Sequence, residues 1–405
     1  MSGSIGGACE SKFAAVKEEF ERNFAERGEV GASVCLSVNG ETQVDLWGGM
    51  ANPETGDAWR EDTISIVFSC SKAATALCAH ILIDRGELNP EALVADYWPK
   101  FAKNGKEKTT VRMMLNHESA LPTLRDPVRP GGFEDWDYMI QRLEDEEAFW
   151  EPGTRNGYHM INFGWTVGEL VRRVSGKSLG TFFREEVADK TGARFWLGLP
   201  ETEDVHIAPI IPYAPKPGDV PTEFAIKLVT EPESIQHKSF MNNGGWDFNN
   251  RKSQAAEIGG GGGLSNARGQ VAMYTPLATD DGTLVSSDRL KAMSMVTTAT
   301  QSDATLLVPT RFGPGFMKSM DNRALNLGPG TSVIMGEQAF GHVGAGGSIG
   351  FADPEAGLAF SYTMNQMGSG ILVNDRAQSL IDAAYRALGY RTNAQSPFAF
   401  NSVQL

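Results

Sequence analysis

Two stretches near opposite ends of the chain carry the same pattern, and together they constrain the fold more than any other feature. "VGASVCLSVNGETQVDLWGG" (30–49) alternates around Asn39-Gly40, and "GSIGFADPEAGLAFSYTMN" (347–365) does so around Pro354-Glu355-Ala356-Gly357. Alternation interrupted by turn residues reads as strand, tight turn, strand. A segment with helical spacing, 10–27, precedes the first, and an amphipathic helix at about 374–388 follows the second. Between them helices are expected at about 70–85, 110–116, 135–147, 162–175 and 180–190. This order predicts an α/β fold whose antiparallel sheet, flanked by N- and C-terminal helices, is assembled from 1–68 and 255–405. A mainly helical domain, 69–254, is inserted between the two parts. Residues 200–255 are too long and too rich in turn residues for a bare connection, and read as a folded-over lid.

With 405 residues, 41% of them hydrophobic, the chain can bury a large core in two lobes. A formal charge of −14 opposes phosphate backbones and anionic bilayers, so neither a nucleic-acid nor a membrane partner is expected. The most apolar run, "ALCAHILI", is too short to span a bilayer. The first twenty residues lack a basic stretch leading into an apolar one, and a cytoplasmic location is the expectation. Cys9, Cys35, Cys70 and Cys78 are scattered and read as free thiols. His117-Glu118 opens the H-E-x-x-H zinc pattern, but Leu121 occupies the place of the second histidine. The run Gly259–Gly263 fits no register of G-x-G-x-x-G and reads as a flexible or close-packed loop before a helix starting near Asn266. No metal and no cofactor is expected.

Two serines compete for a catalytic role. Ser348 lies in Gly346-Gly347-Ser348-Ile349-Gly350, a literal G-x-S-x-G, but all six histidines precede it and it opens an alternating strand instead of entering a helix. Ser69 and Lys72 form the chain's only S-x-x-K, at the start of an Ala-rich segment that stops at Gly86. Three residues apart on a helix, the two side chains share a face one turn apart. A desolvated amine there can take a proton or hold a neighbour deprotonated, and the helix N-terminus favours a developing anion. A literal Lys190-Thr191-Gly192 closes a helical run, with Gly192 reading as its cap.

Three separated segments around Ser69-Cys70-Ser71-Lys72 agree with this choice. "NHESALP" (116–122) resembles the N-H-T-S-G-L-P segment of the serine β-lactamase and penicillin-binding protein superfamily. "EPGTRNGYHMINFG" (151–164) is similar to its P-G-T segment leading into a tyrosine, here Tyr158. "FGHVGAGGSIGFADPEAG" (340–357) resembles its third-motif strand, with His342-Val343-Gly344 where β-lactamases have K-T-G. Within the superfamily the pattern is most similar to the class C-like family VIII carboxylesterases. That resemblance implies a β-lactamase/transpeptidase-like fold and two-step hydrolysis of a small-molecule ester, without a cofactor. It implies Ser69 as nucleophile, Lys72 holding Tyr158 as phenolate base, and an oxyanion hole from the N–H groups of Ser69 and Ala345. His342 and Gly344 are expected to support the site, with His159, Trp246, Phe248 and Asn249 shaping the pocket. Tyr158 is followed by His159-Met160, so Y-x-N is missing and β-lactams are expected to be poor substrates. A β-lactamase or D,D-peptidase, an acyltransferase, and a silent binding protein of the same fold are the competing readings.

Overall fold

Both turn signals form hairpins, and the hairpins become neighbours. The computed structural model describes residues 5–391 and 403–404, so positions 1–4, 392–402 and 405 of the span assigned to the sheet domain lie outside the described residues. Nine strands form one antiparallel sheet: β1 (Gly6–Cys9), β2 (Gly31–Val38), β3 (Glu41–Asn52), β4 (Thr298–Thr300), β5 (Thr310–Gly313), β6 (Phe316–Lys318), β7 (Phe340–Val343), β8 (Ile349–Asp353) and β9 (Leu358–Met364). Their order is β1-β3-β2-β9-β8-β7-β6-β5-β4, with a two-residue strand, Asp57–Ala58, added on β3. Asn39 and Gly40 both have positive φ, +50° and +85°, as the tight turn between β2 and β3 requires. Pairing of β2 with β9 brings the two turns together, and Asn39 N–H donates to Gly357 O at 2.8 Å.

Helices cover both faces of the sheet. On one side α1 (Ala14–Glu26) packs against the C-terminal helix Asp375–Ala387, burying Val16, Phe20, Leu380 and Ile381 with Val34, Phe351 and Phe360. On the other side lies the helix Ala267–Thr279, over β2, β8 and β9. Gly350 permits that approach: a Cβ there would sit 2.7 Å from Gln270 Oε1 and from the Tyr274 ring. Burial on both faces explains why all seven residues of β9 are buried despite their alternation.

The second core joins helices of the middle segment to the helix Ala267–Thr279 and to Phe316 and Phe340 of the sheet. Here α2 (Ser71–Asp84) packs against α3 (Phe163–Ser175) and reaches the sheet at β6 and β7. Twelve of its fourteen residues are buried, so it is a central helix packed on all sides. The segment expected as a helix at 180–190 is irregular, running Leu179–Phe183, a wide turn Arg184–Ala188, and Asp189–Thr191. Gly192, at φ +69°, caps it, and Lys190 pairs with Glu186 at 2.8 Å, so this Lys-Thr-Gly is a helix end. Among the described residues no helix is long and apolar enough to cross a membrane.

Candidate active site

Ser69 is the one residue between Thr63 and Leu82 that is not buried. A tight turn, Phe68–Cys70, carries it into α2. Phe68 has φ +45°, a conformation that costs a bulky residue about 1–3 kcal/mol and persists only where neighbours enforce it. Ser71 Oγ donates to Phe68 O at 2.5 Å, Val67 N–H donates to Gly263 O at 2.9 Å, and the Phe68 ring packs edge-on against Phe248 at 5.3 Å. These contacts hold the turn and aim Ser69 outward.

Lys72 is fully buried and has three partners: Ser69 Oγ at 3.0 Å, Met160 O at 2.6 Å and Gly260 O at 2.6 Å. Burial holds its ammonium well below the usual lysine range. The glycine run brings Gly260 there: a Cβ on Gly260 would stand 2.0 Å from Ile161 O, and one on Gly164 would stand 2.0 Å from Gly260 N. The loop thus passes between α2 and α3 at backbone contact, which no larger side chain permits.

Tyr158 lies beside this pair, with Lys72 Nζ 4.8 Å from its ring centroid. Burial raises its pKa above the ordinary phenol range, an effect the nearby Ser69 side chain partly offsets. Its backbone is fixed by Asp303, whose carboxylate accepts the N–H groups of Tyr158 (3.0 and 3.1 Å), Thr305 (2.8 Å) and Leu306 (2.9 Å). Ala345 repeats the pattern of Ser69: from Ala339 to Asp353 it alone is not buried. The end of β7 presses on the turn that carries Ser69. A Cβ on Gly344 would be 2.3 Å from Val67 O, and Cys70 Sγ–H donates to His342 O at 3.3 Å.

A buried amine on a half-exposed serine, with a phenol beside it, is the constellation that the third strand and the tyrosine segment were expected to complete. The Beta-lactamase family profile matches residues 18–384. The chain belongs to the beta-lactamase family. It is 31% identical to the esterase/beta-lactamase LipL of Mycobacterium tuberculosis, covering 92% of this chain and 86% of that protein. A crystal structure of a family VIII carboxylesterase superposes with TM-score 0.82 at 36% identity, over 95% of this chain and all of that one. A penicillin-binding protein homologue from Caulobacter crescentus does so with TM-score 0.82 at 32% identity, over the same shares.

The remaining expected residues of this beta-lactamase-family chain divide into two groups. His342, Phe248 and Trp246 stand near the site. The His342 ring is 5.9 Å from that of Tyr158, and its Nδ1–H donates to Val343 O at 2.8 Å. Burial and Lys72 push its basicity down to about 3, so it is neutral. Phe248 and Trp246 stack edge to face and join Phe68, Ala345 and Met367 in an apolar wall. His159 and Asn249 do other work. His159 Nδ1–H donates to Gly157 O at 2.7 Å and Nε2 accepts from Ser119 Oγ at 2.8 Å, so its ring ties two loops together inside the protein. Asn249 clamps the backbone of Ile210, accepting from its N–H at 2.8 Å and donating to its carbonyl at 3.0 Å.

Sequence reading did not single out Met160 O, Gly260 O or Asp303. Carbonyl partners have no residue signature, although the uninterrupted glycine run was a usable sign of close backbone approach. Among the described residues no group of three or more His, Cys, Asp or Glu side chains converges as a metal-ligand set.

Proposed function

We propose that this chain is a carboxylesterase that hydrolyses small esters through an acyl-enzyme on Ser69, with Lys72 and Tyr158 sharing the proton work. The observation that carries the reading is the trio of bonds at Lys72 Nζ. Carbonyl oxygens of Met160 and Gly260 can only accept, so they take two N–H bonds. In the neutral amine the third direction is a lone pair, and it meets Ser69 Oγ at 3.0 Å. Burial, which disfavours both the ammonium and the phenolate, supports a resting pair of neutral amine and neutral phenol. This distribution differs from the phenolate that the family resemblance implied. Lys72 takes the Ser69 proton as Oγ attacks the ester carbonyl, and Tyr158 O–H supplies one to the departing alkoxide. Lys72 then returns its extra proton to the Tyr158 phenolate, and with both neutral again water repeats the sequence on the acyl-enzyme, Lys72 taking the water proton and Tyr158 protonating Ser69 Oγ as the acid leaves.

Oxyanion stabilisation is assigned to the N–H groups of Ser69 and Ala345. Each is the single accessible residue in an otherwise buried run, and the contacts of Gly344 and His342 with the nucleophile turn bring the two runs together. The names of the similar proteins, an esterase/beta-lactamase and a family VIII carboxylesterase, support an ester as the substrate. Met160, without an amide to orient a β-lactam, supports slow turnover of that class. A cytoplasmic location belongs to the same reading.

Mixing the enzyme with an aryl butyrate tests it directly. A burst of alcohol equal to the enzyme concentration, with a butyryl mass on the peptide containing Ser69, is expected. Absence of a burst together with an acyl group on any other peptide would overturn the assignment.

A further inference from the structure

Ala345 is followed by two glycines in left-handed conformations, Gly346 at φ +83° and Gly347 at φ +115°. Such a pair has wide torsional freedom. The turn holds itself with two bonds, Gly347 N–H to Gly344 O at 3.1 Å and Gly344 N–H to Ser348 O at 2.7 Å. A third restraint comes from outside. Asn374 Nδ2 donates to Gly346 O at 2.9 Å, and Gly368 N–H donates to the same carbonyl at 2.9 Å. The Asn374 side chain is wedged between the two glycine backbones: a Cβ on Gly347 would lie 2.4 Å from its Nδ2, and one on Gly368 would lie 2.2 Å from it.

Asn374 is itself anchored at the start of the C-terminal helix, where Oδ1 accepts the N–H of Arg376 at 3.2 Å. Arg376 is buried and donates to Gln366 O and Glu29 Oε1, both at 2.7 Å. The segment so fixed also pairs with the chain at Ile211, through Met367 N–H to Ile211 O at 2.9 Å and Ile211 N–H to Asn365 O at 2.8 Å. We propose that Asn374 is a positioning residue that sets the direction of the Ala345 N–H by clamping the Gly346 carbonyl. The proposal rests on the reading of Ala345 as an oxyanion donor. It assigns Asn374 no contact with substrate.

Asn374→Asp and Asn374→Ser test it, because both replacements still cap a helix while neither can donate an amide N–H to Gly346 O. The expected result is an acylation rate on an aryl ester lower by about 10-fold or more in the Asp variant and somewhat less in the Ser variant. KM should stay within about threefold, since the lost alignment matters when charge develops on the carbonyl oxygen. Affinity for a boronic acid, which mimics the tetrahedral adduct, should fall in parallel with the rate, with thermal midpoints held within a few degrees. Wild-type rates and boronate affinities in both variants would overturn the proposal, as would a rate loss that merely tracks a loss of thermal stability. A fluorophosphonate separates the two levels of inference. Label on the Ser69 peptide with unchanged rates rejects the clamp alone, and label elsewhere rejects the reading beneath it.

Discussion

Two serines in this chain sit in recognisable motifs, and their surroundings are opposites. Ser69 is half-exposed, follows a strained residue, sits in the turn leading into α2 and has a buried amine at 3.0 Å. Ser348 is completely buried, leads into β8 in extended conformation, and its Oγ has no hydrogen-bond partner among the described residues. Its backbone carbonyl closes the Ala345 turn by accepting from Gly344 N–H. The G-x-S-x-G pattern here serves close packing: a Cβ at Gly346 would approach Met367 and Met364 to 2.9 Å. A motif supplies chemistry only when a base, an open face and a charge-stabilising environment converge on it.

The comparison breaks most sharply at the two serines themselves. Ser69→Ala should lower ester turnover by about 10⁴-fold or more and abolish fluorophosphonate labelling, whereas Ser348→Ala should still be labelled on the Ser69 peptide. Peptide mass spectrometry decides this, and a label on the Ser348 peptide that persists in Ser69→Ala would invert the assignment. Tyr158→Phe keeps the ring that stacks on Phe312 and removes the hydroxyl, so acylation should slow by about 10²-fold with folding nearly unchanged.

The pH profile sharpens the comparison further. A base acts only when unprotonated, so kcat/KM should fall as pH drops through the depressed Lys72 ionisation and hold above it. His342 and His159, with basicity pushed down to about 3, stay neutral through this range and add no inflection. A profile governed by an inflection near 6.5, which His342→Gln removes, would instead implicate a histidine. The smallest effect is on stability. Ser348→Ala deletes a buried hydroxyl without a partner, so unfolding free energy should change by less than about 1 kcal/mol, in the stabilising direction. A denaturant titration that shows a loss of about 2 kcal/mol would mean the hydroxyl is bonded in solution.

Much of the sheet was legible because its central hairpins carry strong turn chemistry at Asn39-Gly40 and at Gly357. The edge strands β4 to β6 were not anticipated, since they are three or four residues long and too short for alternation to register. At the site, Ser69 and Lys72 were readable from spacing, and Tyr158 only through the family resemblance. His159 and Asn249 illustrate the opposite difficulty. A polar residue in a loop looks the same in sequence whether it faces a ligand or, as in these two cases, ties one backbone segment to another. Asp303 was out of reach because its partner Tyr158 is far away in the chain and its contribution is made to a backbone N–H.

The pairing of β2 with β9 also bears on how the molecule is made. Val38 lies opposite Leu358 and Ala32 opposite Met364, so the middle of the sheet joins residues far apart in the sequence. On the ribosome, the β2–β3 hairpin emerges long before β9 and waits with an unpaired, largely apolar edge until the segment between Val38 and Leu358 has been synthesised. Contacts of such long sequence separation close slowly, and an open edge in the interval invites pairing with another chain. Production should therefore be limited by the fate of nascent chains more than by the stability of the finished enzyme, and slower synthesis at lower temperature or added holdase chaperones should raise the soluble yield.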